Sequence, residues 1–119
     1  MGDVRRTLHR GRRIVEIDFD GCVPGTFAPI ISEAQRLLAG EPPGSVLALA
    51  RFENVEFDGG TVAEVQRFAR VAMPFLRANA LVGVAGVKRL VFDAIRPFFK
   101  VPVELFETVA DARDWLSRR

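Results

Sequence analysis

A single cysteine, Cys22, rules out an internal disulfide. A single histidine, His9, rules out a zinc site built from Cys and His, because such sites take three or four ligands. Tyrosine is absent, tryptophan occurs once, and only Lys88 and Lys100 are lysine among the 17 basic residues. No stretch approaches the roughly eighteen apolar residues of a membrane-spanning helix, and the arginine-rich beginning is not followed by an apolar signal core. The expectation is a cytoplasmic protein. There is also no Gly-x-Ser-x-Gly elbow, no phosphate-binding P-loop and no dinucleotide fingerprint, so the common sequence marks of catalysis are missing. No metal and no cofactor is expected.

What is present describes one globular unit. The chain has 119 residues, 49% of them hydrophobic and 27% charged, with a formal net charge of +2. At this length folding hides about two thirds of the chain's surface, enough for one core, and residues 1–119 read as a single domain. The charge is uneven. Arg5, Arg6, Arg10, Arg12 and Arg13 face only Asp3 within the first 13 residues, which makes residues 1–13 a basic opening arm. Nucleic acid is disfavoured as its partner, since no aromatic stacking platform, helix-turn-helix or RNA-binding signature accompanies the arginines.

Apolar spacing assigns the elements. Val4 to Leu8 and Ile14 to Phe19 read as a hairpin turning through Gly11; in the second strand Val15, Ile17 and Phe19 form the buried face, with Glu16 and Asp18 on the other. Phe27 to Ala39 has helical spacing, with Pro29 in its first turn and Gly40 past its end. Ser45 to Ala50 is a short apolar run that suits a central parallel strand. Thr61 with Glu64 reads as a capping box opening a helix that Pro74 ends. Ala80 to Ala85 reads as a strand, Val87 to Phe98 as a helix with Leu90, Val91, Ala94 and Ile95 on its apolar stripe, and Val103 to Phe106 as the last strand. Thr108 with Asp111 caps a terminal helix facing inward through Ala112, Trp115 and Leu116. The order is β-β-α-β-α-β-α-β-α: an α/β domain with an opening antiparallel hairpin, a mostly parallel sheet of about five strands and about four helices.

Val46 to Ala50 followed by Val55-Glu56-Phe57-Asp58-Gly59-Gly60-Thr61-Val62, then Ala80 to Lys88 and the tail Glu104 to Thr108 with Trp115-Leu116, resemble the STAS family, the sulfate-transporter and anti-sigma-factor-antagonist domain. The likeness is to its small stand-alone bacterial members of STAS/SEC14-like type and spans nearly the whole chain. It implies a non-enzymatic regulatory module that docks to a regulatory protein or to itself. In the signalling members the loop after the central strand carries an Asp followed by a serine that a kinase phosphorylates. Asp58 matches the Asp, Gly59 stands at the serine, and Thr61 offers the nearest hydroxyl.

In an open α/β sheet, ligands collect outside the carboxyl ends of the strands. That rule places Asn54, Asp58, Gly59 and Thr61 on one loop as partner-binding or phospho-switch candidates. It places Gly83, Gly86, Lys88 and Arg89 on the next as an anion site, where glycines admit an anion to helix-start amides. The related SEC14-like domains hold lipids, so a small-ligand or lipid carrier with an anion site near 83–89 is the alternative function. Phe92 and Phe99, offset from the core stripe of their helix, are candidates for an interface, because ten phenylalanines exceed what one small core obviously needs. Enzymatic roles are not expected: His9 falls in the hairpin, away from the strand ends, Cys22 has no base nearby, and Glu53, Glu56 and Asp58 read as the solvated side of a loop.

Overall fold

The computed structural model describes residues 2–119, and the side chains of Val87, Lys88, Val91, Ile95 and Phe98 lie outside what it describes. Five strands form one sheet in the order β1-β2-β3-β4-β5: β1 (Asp3–His9), β2 (Arg12–Asp18), β3 (Val46–Arg51), β4 (Leu76–Val82) and β5 (Val103–Phe106). Only β1 runs antiparallel, pairing with β2 along its whole length; the other neighbours are parallel. The hairpin turn consists of Arg10 (φ 52°) and Gly11 (φ 77°), two left-handed residues in succession, the twist that a two-residue hairpin loop requires.

Side chains alternate across the strands, which separates the core into two layers. Val15, Ile17, Ala48, Ala50 and Leu81 face α1 (Phe27–Ala39), α2 (Gly59–Ala72) and α3 (Val87–Ile95). Ile14, Leu47, Leu49, Ala78, Ala80 and Val82 face Ala112 and Leu116 of α4 (Val109–Ser117). Three helices thus cover one face of the sheet and a single helix the other.

The elements differ from the sequence expectation at four places. β4 starts at Leu76, because Arg77 is bulged out between the Val46–Leu76 and Leu47–Ala78 pairs and the buried Asn79 interrupts the apolar run. α2 starts at Gly59, because Asp58 takes the cap and its side chain accepts from the Thr61 amide. β2 is buried on both faces, since Glu16 is only 1% exposed. On α3 the inward side is turned: Phe92 is 2% exposed and joins the core, whereas Leu90 is 69% exposed. Pro97 lies in the short 3-10 turn Arg96–Phe98 that follows α3, consistent with its inability to continue an α-helix. Phe92 is therefore a core residue, not a surface one, and Phe99 packs partly buried against the same core.

Candidate functional site

The carboxyl ends of β2, β3 and β4 open on one rim. There the chain continues its ladder past the strands: Phe19 N–H donates to Arg51 O (2.9 Å), Gly21 N–H to Glu53 O (3.1 Å), Glu56 N–H to Cys22 O (2.9 Å) and Phe52 N–H to Val82 O (2.9 Å). The loop from Phe52 to Asp58 is therefore bound along its length to the loop after β2. Beneath it Phe19 stacks on Phe27 and Phe52, with ring centroids 5.3 and 5.1 Å apart, and Phe57 tilts against Phe27 at 5.4 Å. This cluster is where several of the ten phenylalanines go; the sequence does not show it, because the four come from three separate segments.

Polar side chains fix the surface of the rim. Arg51 donates to Asp18 Oδ2 (3.2 Å) and, through Nε and Nη2, to Glu53 Oε1 (3.0 and 2.8 Å). Asp18 Oδ1 accepts the Asp20 amide at 2.9 Å, and Asp20 Oδ1 accepts from Asn54 Nδ2 at 3.1 Å. Asn54 holds a left-handed backbone, φ 56°, at the apex of its loop. Asp58 Oδ1 accepts from both the amide (2.7 Å) and the hydroxyl (2.8 Å) of Thr61, and these bonds hold its carboxyl below the usual carboxylate range. Asn54, Glu56, Asp58, Gly59 and Gly60 are exposed, whereas Thr61 is 3% exposed with its hydroxyl engaged. Asp58→Ala removes the cap and should lower the urea denaturation midpoint, with Asp58→Asn recovering most of the loss.

The second candidate group does not close on a common point. Gly83, φ 80°, lies so close to Glu53 that a Cβ there would stand 2.5 Å from Glu53 Cγ, which brings an acidic side chain, not a basic one, against that turn. Gly86, φ 59°, caps α3 without a side-chain bond. Arg89 is exposed and reaches Asp93 at 3.8 Å, and the side chain of Lys88 is outside the described ones.

A buried ionic group on the α4 face has only a partial trace in the sequence. Glu16 accepts two hydrogen bonds from Arg113 (2.7 and 2.9 Å) and one from the Thr7 hydroxyl (2.7 Å), with Arg5 at 3.6 Å. Glu16 alternating with apolar neighbours on β2 shows which face it takes; its partner lies 97 residues away and cannot be read locally. Further along, His9 Nε2 lies 2.7 Å from Asp114 Oδ1, and Arg10 reaches the same carboxylate at 3.4 Å. His9 sits at the amino-terminal end of β2, opposite Arg12, at the far end of the sheet from the rim. Cys22 is buried, its Sγ donates to Thr26 O at 3.9 Å, and burial raises its thiol pKa, which keeps it protonated and unreactive. Among the described residues no group of three His, Cys, Asp or Glu side chains is placed to hold a metal ion, and no helix is long and apolar enough to cross a membrane.

No family model and no curated protein matches the sequence. Solved structures do match. An uncharacterised protein of the DUF3478 family with a SpoIIAA-like fold, from Shewanella loihica PV-4, superposes with a TM-score of 0.77 at 13% identity, over 98% of this chain and 95% of that one. An anti-sigma-factor antagonist (STAS) domain protein from Planctomyces limnophilus superposes with a TM-score of 0.65 at 20% identity, over 97% of this chain and 98% of that one. At these identities the likeness is one of fold: this chain has the SpoIIAA-like fold, shared over nearly its full length with a STAS domain protein.

Proposed function

We propose that this chain is a non-enzymatic regulatory module of the bacterial cytoplasm that docks onto a partner protein or a second copy of itself through residues 54–61 and the adjoining start of α2. One observation carries this reading: the loop is exposed at its tip yet tied to the neighbouring loop by backbone hydrogen bonds and capped by Asp58, so it presents one fixed shape. A surface ordered before binding loses little entropy when a partner arrives. The titratable groups support a role without bond-making, since His9 is paired with Asp114 at the other end of the sheet and Cys22 is buried. With Thr61 3% exposed, the proposed contact runs through Asn54, Asp58 and Gly59 and requires no phosphate on Thr61. Gly59→Arg is the probe, because a side chain there meets open space. Affinity capture from the source cell, with sedimentation velocity for self-association, should lose its specific partner with this variant while circular dichroism stays unchanged; identical capture by both proteins overturns the reading.

A second reading, a carrier of a small apolar ligand, is favoured by a cavity between the sheet and α2. Phe19, Phe52, Val65, Phe68, Leu81 and Phe99 line it, its volume is about 40 Å³, and Asn79 is the one polar side chain in its wall. Asn79 is 6% exposed, and its backbone N–H donates to Pro102 O at 2.9 Å. A cavity that accepts a benzene-sized guest measures roughly 150 Å³, so this one admits no such guest until α2 or Phe99 moves outward. Native mass spectrometry separates the readings: a retained small molecule favours the carrier, a bare mass the docking module.

A further inference from the structure

The sheet has two edges of unequal character. β5 contributes four residues to one, and β1 contributes seven to the other. Among the described residues β1 pairs with β2 alone, so its outer row of N–H and C=O groups is open. An edge of this length is a template for another strand unless charge or a bulge blunts it. β1 has no bulge, and it carries Leu8, 71% exposed, the most exposed large apolar side chain among the described residues.

The arginines of the hairpin do not blunt the edge uniformly, because the structure divides them. Arg5 is engaged by Asp3 (3.3 Å) and Glu16 (3.6 Å), Arg10 by Asp114 (3.4 Å) and Arg12 by Ser117 O (3.4 Å). On β1 itself only Arg6 is left without a partner among the described residues. Residues 3, 5, 7 and 9 face α4, and 4, 6 and 8 face α1.

We infer that β1 pairs antiparallel with β1 of a second copy, in the register that sets Arg6 opposite Arg6, so that the sheet runs continuously through a two-fold dimer. The argument is one of elimination by register. In an antiparallel pair, opposed residues share a face, so the two residue numbers must add to an even total. With Arg5 opposite itself, Leu8 falls outside the paired segment and stays exposed. With Thr7 opposite itself, Arg5 meets His9 and Arg6 meets Leu8. With Arg6 at the axis, all seven residues pair: Val4 lies opposite Leu8 twice, Asp3 opposite His9 twice, and Arg5 opposite Thr7. Leu8 then gains an apolar cross-strand partner, and each His9 gains a second carboxylate beside Asp114. The one unfavourable contact is the Arg6 pair on the axis. The interface is isologous and closes on itself, so it ends at the dimer and does not propagate.

This surface is separate from residues 54–61, so its failure leaves the docking reading above untouched. An edge-to-edge contact of this size belongs with small, weak interfaces, so sedimentation velocity should span about 10 μM to about 1 mM. A monomer–dimer equilibrium is expected that strengthens with added salt, because screening relieves the Arg6 pair. Arg6→Thr should tighten it roughly five-fold and Leu8→Lys should abolish it. Register is read by cysteine pairing in a Cys22→Ala background with oxidised glutathione as oxidant. Residues directly opposed across a strand pair lie about 4.5–5.5 Å apart at Cα, inside the disulfide range. Arg6→Cys should therefore cross-link to its own copy in the second chain, and Arg5→Cys, opposed by Thr7, should not. Circular dichroism confirms that each variant is folded. A monomer at every concentration, equal cross-linking of both cysteine variants, or no cross-link from Arg6→Cys overturns the inference.

Discussion

Arg113→Ala should lower the stability of this domain by about 3 kcal/mol, because it leaves the Glu16 carboxylate buried without its bidentate partner. Breaking a buried ion pair costs roughly 3–5 kcal/mol, and the lower end applies because the Arg113 side chain is about one third exposed and water reaches its side of the pair. The cost is borne by one helix. α4 is alone on its face of the sheet, and its ties to the hairpin are Glu16–Arg113, His9–Asp114, Arg10–Asp114 and the bond from Arg12 to Ser117 O. Replacing both partners by leucine should be close to neutral, since no charge is then left unpaired. Urea denaturation of the two single variants and the double variant forms the cycle that isolates the pair. A cost below about 1 kcal/mol for Arg113→Ala would mean that the Glu16–Arg113 pair adds little to the hold that Ala112, Leu116 and the other ties exert on α4.

The same pair sets a response to acid. Burial by itself raises the pKa of Glu16, but the hydrogen bonds from Arg113 and Thr7 and the charges of Arg113 and Arg5 outweigh it and hold the carboxyl below its ordinary value. A group whose folded pKa is depressed contributes its full stability above the unfolded value, about 4.3 for glutamate, and loses it as pH falls through the folded value. Asp114, lowered chiefly by the His9 hydrogen bond, acts in the same direction. The wild type should therefore lose stability as pH falls below about 5. In Arg113→Ala the balance at Glu16 tips towards burial, so the deficit relative to wild type should shrink with acidification. Denaturation midpoints measured across that range check the sign.

How much of this was legible follows from how far apart the interacting residues lie in the chain. The order of strands and helices is written in local periodicity: Val15, Ile17 and Phe19 alternate at period two, and Phe27, Ile30, Ile31, Ala34 and Leu38 recur at helical spacing. The Thr108 cap is local as well, and its side chain accepts from Asp111 as expected. Element starts fail where two local signals compete. Asp58 and Thr61 both suit a cap, and Asp58 wins while accepting from the Thr61 hydroxyl. Arg77 and Asn79 hide the first half of β4, because a bulged and a buried polar residue look alike in one dimension. Of the site, the exposed loop was legible as turn chemistry after an apolar strand. The ties that hold it, Asn54 to Asp20 and Arg51 to Asp18, span more than thirty residues and appear only once β2 and β3 are side by side.

Phe92→Ala should be as damaging as the loss of the ion pair, at about 3–5 kcal/mol, whereas Leu90→Ala should change stability by no more than about 0.5 kcal/mol. The two residues are separated by two positions on α3, which turns them to opposite sides: Phe92 is buried in the larger core layer, with the Arg96 guanidinium 5.5 Å above its ring, and Leu90 projects outward. Hydrophobic spacing alone favours the reverse assignment, since Leu90 falls on the stripe with Val91 and Ala94. The distinction decides how any binding experiment on this helix is interpreted. A charge at Phe92 enters the core and unfolds the domain, so a partner lost with Phe92→Glu reports instability and says nothing about a surface. Leu90→Glu enters water, and its thermal midpoint should match wild type. If binding to a partner, or to a second copy, falls with Leu90→Glu while that midpoint holds, the outer face of α3 belongs to the docking surface; if Leu90→Glu unfolds the domain instead, the helix is turned the other way and Phe92 returns to the surface.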